Sequence, residues 1–327
     1  VDSTVQEKAI AFPTDSRLLD VARRKLVLIA KRSGVVLRQT FEKEGRSLKR
    51  RAGGYAHAKQ YRRLRRVLKR QRTILGRVMR DLERRLPTLA DGMQEIATLW
   101  LERARRIHTQ RPKDKNKRYA LHAPEVECIG KGKARQPYEF GVKVGIATTE
   151  KGNLIVGARA FPGNPYDGHT LTEQIEQATI LMQEVQGAPT PHTAIVDLGY
   201  RGVEVPGVEI IHRGRIKSLS AKARRLLKRR QAVEPVIGHL KDDCGLRRNW
   251  LKGSEGDVLH PVLCAPGYNL RWLMRAIARL GLKALFALWL LVGMRGRVVS
   301  EEGHGRRAGG GRRRIEYFRT DYLRRDR

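Results

Sequence analysis

The sequence begins with a strand pattern and shows no other until Tyr138, and that gap constrains the fold more than any other feature. V-D-S-T-V-Q at residues 1–6 is β-branched and partly alternating, as a short strand is. Pro13 breaks it, and Thr14, Asp15 and Ser16 offer helix N-caps. From there to residue 110 apolar residues recur at helical spacing. A strand needs partners to be stable, so this first strand must pair across everything that separates it from Tyr138.

The intervening block reads as four helices. The first runs to about Ser33 on a stripe of Leu18, Leu19, Ala22, Leu26 and Ile29, and Gly34 ends it. A second covers 35–50, broken by Gly53-Gly54. The third spans 55–86, with Tyr61, Leu64, Leu68, Leu75, Val78 and Leu82 at a/d-like spacing and Gln71 as the polar exception. Pro87 stops it, and a fourth covers 89–110. Arg62, Arg63, Arg65 and Arg66 lie on the third helix. Such arginines form either a solvated face or a row of phosphate-backbone contacts, and their density favours the contacts.

After a charged linker at 111–118 the pattern changes. Residues 138–149 alternate as a strand, Gly152-Asn153 is a turn, and 154–161 completes a hairpin. A helix at 170–185 is followed by short strands at 192–196 and 208–211, the first ending on Asp197. With the helical block set aside the order is β-β-β-α-β-β-α. That order predicts an α/β fold, a mixed sheet flanked by helices with a large helical insertion after the first strand. It makes the first strand a neighbour of the strand ending at Asp197, and lets a helix bearing Glu234 pack across the sheet. A further helical stretch at 255–280 is interrupted by Pro266-Gly267. The expected divisions are 1–12, the first strand of the core; 13–118, the basic helical insertion; 119–280, the rest of the core; and 281–327, an apolar segment and a basic disordered tail.

Charge narrows the partners. Lys and Arg number 68 against 33 Asp and Glu, a net charge of +35. The excess is spread along the chain, and a polyanion, most often nucleic acid, is its natural partner. The basic helices lack the Trp/Phe-rich face of a membrane-surface helix. The longest apolar run, 284–292, falls short of the roughly 20 residues needed to span a bilayer. Cys128, Cys244 and Cys264 are odd in number and lack C-x-x-C spacing. They fit neither a disulfide framework nor a zinc site, and suit a reducing, cytoplasmic compartment.

The chemistry centres on residues 230–241, R-Q-A-V-E-P-V-I-G-H-L-K. Arg230, Glu234 and Lys241 share one helical stripe. Taken alone they could be a solvated salt-bridge ladder. With Asp2 and Asp197 on adjacent strands, Glu234 becomes the third carboxylate of a set able to hold two Mg²⁺ ions, which favour hard oxygen ligands. Two such ions about 3.5–4 Å apart can activate a hydroxyl and stabilise a leaving oxygen in phosphodiester displacement. Arg230 and Lys241 then become phosphate contacts. Asp167 and Asp243 are rival carboxylates, read as loop or capping residues. His169, His212 and His239 read as satisfied polar residues. Neither G-x-S-x-G nor G-x-x-x-x-G-K-[ST] occurs.

Six motifs in order, V-D-S-T-V-Q-E-K-A-I-A-F-P-T-D, C-I-G-K-G-K-A, P-Y-E-F-G-V-K, N-P-Y-D-G-H-T-L, V-D-L-G-Y-R-G and V-E-P-V-I-G-H-L-K, resemble the DDE transposases of bacterial insertion sequences, in the branch named for insertion sequence five. The resemblance runs from Val1 to about Leu280. It implies an RNase-H-like catalytic core, two Mg²⁺ ions with Mn²⁺ able to substitute, cleavage of the element's ends and strand transfer to target DNA. By position, Asp2 and Asp197 correspond to the family's aspartates and Glu234 to its glutamate. The signature Y-x2-R-x3-E-x6-K falls on Arg230, Glu234 and Lys241, with Leu227 at the tyrosine position. The family carries a helical DNA-binding segment ahead of its first aspartate, whereas here the sequence opens one residue before Asp2.

The expected activity is therefore that of a DNA transposase acting on double-stranded DNA, in the cytoplasm and on the nucleoid. The alternatives are a truncated, catalytically inactive DNA-binding remnant and a nuclease of the same fold. Pairing two DNA ends calls for a homodimer. The Tyr61–Leu82 stripe could form its seam, although packing within its own helical block is the simpler expectation.

Overall fold

The computed structural model describes residues 1–130, 132, 136–187, 189–214 and 219–279. The expected apolar segment and basic tail at 281–327 lie outside the described residues. Val1–Trp272 form one compact unit, and Leu273 onward a second, of which the described part is the end of the last helix.

The first strand, β1 (Asp2–Lys8), lies inside a mixed sheet. It pairs antiparallel with the long strand β3 (Tyr138–Thr148) in a register that sets Asp2 opposite Ile146 and Glu7 opposite Gly141. The other edge of β3 is shared by β2 (Glu127–Gly130) and β4 (Ile155–Phe161), both antiparallel to it. Gly152 and Asn153, at φ 84° and 54°, make the predicted left-handed turn of the β3–β4 hairpin. Beyond β1 lies a two-residue strand, β7 (Arg248–Asn249), parallel to its far end. The sequence pattern does not reveal β2 and β7. Each is too short to show a period.

Alternation along β3 decides which helix covers which face. Val142, Val144 and Ile146 point to one side, where Val236 and Leu240 of α7 (Val233–Asp243), Leu246, and Cys264 and Ala265 of α8 (Gly253–Arg279) enclose them. Gly145 points to the other, under Gln174 of α5 (Leu171–Met182). The predicted placement of the Glu234 helix across the sheet is thus observed. The strand ahead of Asp197 differs from expectation. Strand β5 (Thr193–Ile195) does not join β1 in a ladder but pairs parallel with β6 (Glu209–Ile211) in a second, two-stranded sheet. A hydrogen bond from the Val1 amino group to Ile195 O, at 2.7 Å, links it to the β1 side. The ladder bonds of β5 go to β6 instead, and past its end the Val196 N–H still donates to Ile211 O at 3.0 Å.

Between β1 and β2 stand four helices, α1 (Asp15–Arg32), α2 (Glu42–His57), α3 (Tyr61–Glu83) and α4 (Asp91–Thr109). Thr14 caps α1 by accepting from the Arg17 N–H. Leu26, Leu75, Leu82, Ala97 and Ala104 form the centre of their shared core. The Leu75, Val78 and Leu82 stripe is consumed there, while Tyr61 is exposed and Gln71 is buried with its amide 3.4 Å from Ser16 O.

The second helix departs from expectation at both ends. It starts at Glu42 because Val35, Leu37 and Phe41 act as an extended strap onto the helical core, and Phe41 is left-handed at φ 54°. It runs through Gly53-Gly54 because Leu48 and Ala52 hold it against Val67 and Ile74 of α3. Likewise α8 continues through Pro261 and Pro266. Each proline removes one backbone donor, and the helix is pinned by packing and by Asn269, whose amide bonds both Ile155 N and Ile155 O at 2.8 Å.

A buried polar cluster ties the far end of β1 to α8. Lys8 Nζ lies 2.8 Å from Asp257 Oδ1, 2.9 Å from Glu125 Oε1 and 3.2 Å from Gly253 O. Asn249 Nδ2 donates to the same Asp257 oxygen at 2.7 Å, and the His260 Nδ1 stands 2.7 Å from Gln6 Oε1. Removing one charge from such a cluster strands its partners. The substitution Lys8→Met is expected to lower unfolding stability by about 3 kcal/mol, read from urea or guanidinium melts. A loss under about 0.5 kcal/mol, the range of an ordinary surface change, would show that the cluster contributes nothing.

Candidate active site

Three carboxylates from three separate elements meet around one guanidinium. Asp2 leads β1, and its position is set by the β3 ladder. Its Oδ1 accepts the Ser3 N–H at 2.8 Å, and its Oδ2 accepts from Arg230 Nη1 at 3.2 Å. Asp197 follows β5 and opens a 3-10 turn, Leu198–Tyr200, with its Oδ1 3.3 Å from Arg230 Nη2. Glu234, in the first turn of α7, brings Oε1 to 3.9 Å from the same nitrogen.

The backbone explains why Arg230 reaches this point. Helix α6 (Ala221–Arg229) ends one residue earlier, and a 3-10 turn, Arg230–Ala232, separates it from α7. The expected continuous stripe is therefore two helices joined by a tighter turn. Arg229 goes to Glu150, at 3.1 Å, while Arg230 turns inward. Pro235 falls in the first turn of α7, where its missing N–H costs no helical bond.

Exposure is graded across the cluster. The Arg230 side chain is 8% exposed, Asp2 18%, Asp197 47% and Glu234 67%. Asp2 is the inner wall and Glu234 the outer lip, largely open to solvent rather than turned fully inward. Burial pushes the Asp2 carboxyl above the ordinary value for aspartate; the Ser3 N–H and Arg230 pull it down, and Asp197 adds upward. Three carboxylates against one guanidinium leave the cluster short of positive charge. Among the described residues no group of three or more His, Cys, Asp or Glu stands ready to hold a metal ion. The carboxylates are instead gathered on a guanidinium.

The other predicted residues are placed as follows. Lys241, also on α7, is half-buried. Arg62, Arg63, Arg65 and Arg66 lie on α3, where Arg62, Arg63, Arg65 and Arg66 are all exposed. Arg63 and Arg51 both lie 5.9 Å from the Tyr55 ring, flanking a surface groove that Arg66 and Arg70 also line. His239 pairs with Asp243 at 2.9 Å, away from the carboxylates, and the buried His212 accepts from Gly214 N–H. Leu227, at the tyrosine position of the signature, packs in a small core with Ile211 and Ala223.

A second tier, not evident from the sequence, holds Asp197. Lys143, from P-Y-E-F-G-V-K, lies 3.0 Å from Asp167 Oδ1 and donates to Pro165 O. Asp167 in turn packs on the turn after Asp197, where a Cβ on Gly199 would stand 2.7 Å from its Oδ2. Tyr166 donates from its hydroxyl to Arg201 O at 3.0 Å. Beneath lies Tyr200, whose hydroxyl is raised in pKa by burial and then by the charges of Asp167, Asp2 and Asp197. So N-P-Y-D-G-H-T-L clamps V-D-L-G-Y-R-G. The signal in the sequence was the pairing of an aspartate motif with a glycine two residues after Asp197, legible only once the two motifs are known to touch.

Residues 103–270 match the family of the transposase DDE domain. The chain belongs to that family. The matched span contains Asp197, Arg230, Glu234, Lys241 and the Lys143–Asp167 brace, and it leaves Asp2 and most of the helical block outside. A segment of 61 residues is 51% identical to an uncharacterized protein, ORF8 in the nfe locus, of Rhizobium meliloti. That segment is 19% of this chain and 30% of the relative, so the chain spans under a third of the length of the curated relative it matches. No solved structure matches the chain. Among the described residues no helix is long and apolar enough to cross a membrane.

The brace yields a direct test. Gly199→Ala forces a methyl against a carboxylate that Lys143 holds in place. Overpacking of this kind costs about 1–3 kcal/mol, so thermal or denaturant unfolding should show a loss in that range. An unchanged melting curve would mean that Asp167 is free to move and does not hold the turn.

Proposed function

We propose that this chain is a DNA transposase that cleaves the ends of its element and joins them to target DNA by in-line phosphoryl transfer. The observation that carries the reading is the convergence of Asp2, Asp197 and Glu234, from three elements, on a single point. Membership of the transposase DDE domain family supports it. So does a mixed sheet flanked by helices, in which β1 lies inside and carries Asp2 at its first residue, although β5 pairs with β6 and touches the β1 side only through the Val1–Ile195 bond.

The donor set fits a divalent ion in chemistry, since all three side chains offer hard carboxylate oxygens, and in charge, since one guanidinium leaves them undercompensated. Asp2, Asp197 and Glu234 would hold Mg²⁺ or Mn²⁺. When bound, two such ions supply activation of the attacking hydroxyl and stabilisation of the leaving oxygen. The protein's own part is positioning. The β3 ladder fixes Asp2, the Lys143–Asp167 brace fixes the turn of Asp197, and the packing of Val236 and Leu240 fixes α7 under Glu234. Arg230 supplies positive charge beside the carboxylates, Lys241 near the far end of α7 would meet a phosphate, and the exposed Arg62, Arg63, Arg65 and Arg66 offer a track for the DNA backbone. A homodimer that holds two DNA ends completes the proposal. The buried Leu75, Val78 and Leu82 are not available as its seam.

Two experiments separate this from charge-only DNA binding. Asp197→Ala and Glu234→Ala are each expected to reduce Mg²⁺-dependent strand cleavage to background in a nicking and strand-transfer assay. DNA affinity should stay within about threefold, under the roughly 1.4 kcal/mol of a tenfold change. Cleavage that survives both changes would overturn the assignment. For the track, Arg63→Ala with Arg66→Ala should flatten the plot of log affinity against log salt by up to about 0.9 for each phosphate no longer neutralised. An unaltered slope would remove α3 from the interface.

A further inference from the structure

We infer that Arg230 is a resident counter-cation that a divalent metal must displace in order to occupy the site. The inference rests on the three-carboxylate reading above and adds what holds those groups before metal arrives. The Arg230 side chain is 8% exposed, with Nη1 on Asp2 and Nη2 facing both Asp197 and Glu234. Three carboxylates brought together without a cation would repel one another, Asp2 most strongly because it is the most desolvated. An arginine keeps its charge at any pH a protein tolerates, so the compensation is permanent as long as the side chain stays.

The same position makes Arg230 a competitor. A magnesium–oxygen bond is about 2.0–2.1 Å long, whereas the carboxylate oxygens here stand 3.2–3.9 Å from guanidinium nitrogens. The guanidinium occupies the place on which one oxygen of each carboxylate converges, where an ion bonded to all three would have to sit. Metal and guanidinium therefore exclude each other. Arg230 has somewhere to go. A cleft of about 190 Å³ lined by Thr149, Glu150, Ile195, Arg229 and Val233 also includes Arg230 in its wall. A side chain moved into it would stay at the edge of the site, beside Glu150 and its partner Arg229.

The test measures metal binding without DNA and without turnover. Mn²⁺ is titrated calorimetrically into the whole chain, into Arg230→Gln, into Arg230→Lys and into Asp197→Asn. Displacement predicts that Arg230→Gln binds Mn²⁺ about tenfold tighter than the unaltered chain, and that its metal-free form melts at a lower temperature. Arg230→Lys, whose ammonium is a single point charge rather than a fork, should also bind more tightly, by a smaller factor. It provides the reading if Arg230→Gln does not fold. Equal or weaker Mn²⁺ binding by the folded variant would overturn the inference. Asp197→Asn is the control for the underlying site. If it leaves Mn²⁺ binding intact, the three-carboxylate reading itself fails. If it abolishes binding while the Arg230 variants bind no tighter, only displacement fails.

Discussion

The ladder between β1 and β3 is the constraint on which the rest depends. It places Asp2 opposite Ile146 and brings Lys8 to the other end of the same strand. One end is thereby committed to the carboxylate cluster and the other to the buried polar cluster of Asp257, Glu125 and Asn249. Neither cluster could form on a strand free to slip, since a one-residue slip would send every β1 side chain to the opposite face. The sheet fixes register through apolar packing on one face, where Val144, Ile146 and Leu240 are fully enclosed. Chemistry at the edge is thus positioned by hydrophobic burial at the centre.

Charge is arranged in the opposite sense at the site and over the remainder of the chain. The chain carries +35 overall, yet its candidate site gathers acids. A strongly positive exterior draws in a polyanion, while a small acidic pocket draws in divalent cations. Arg230 belongs to both fields, a basic residue turned into the acidic pocket. The gradient from buried Asp2 to open Glu234 gives the site an inner wall set by the sheet and an outer lip set by α7.

Much of this was legible in the sequence, for identifiable reasons. The strands β3 and β4 and their Gly152-Asn153 turn showed because alternation over many residues is a strong signal and the turn needs left-handed backbone. The carboxylates and the helices were visible through motif and period. The ends of α2 were not, because packing of Leu48, Ala52 and Phe41 overrides what glycines and local propensity suggest. The inward turn of Arg230 was hidden because spacing alone reads residues 230–241 as one helix, and the break is a matter of three residues in a tighter turn. The sequence reads Asp167 as a loop or capping residue, and it does open a 3-10 turn. Its bond to Lys143 and its approach to Gly199 link motifs far apart in the chain, and periodicity carries no information about such links.

The helical block has a neck. Phe12, where the chain leaves β1, lies 5.4 Å from the Phe140 ring, and Tyr119, where it returns, lies 5.2 Å from the same ring. To the sheet, the whole block is a loop whose two ends are clasped on one residue of β3. Closing a long loop adds cost only as the logarithm of its length, so equilibrium stability is little affected by what lies between. Kinetics is another matter, because contacts between residues remote in sequence form slowly. Four helices with local contacts can fold early, bring Phe12 and Tyr119 together, and convert the pairing of β1 with β3, remote in sequence, into a near one. The insertion then serves as the scaffold that delivers β1, and the first carboxylate with it, to β3.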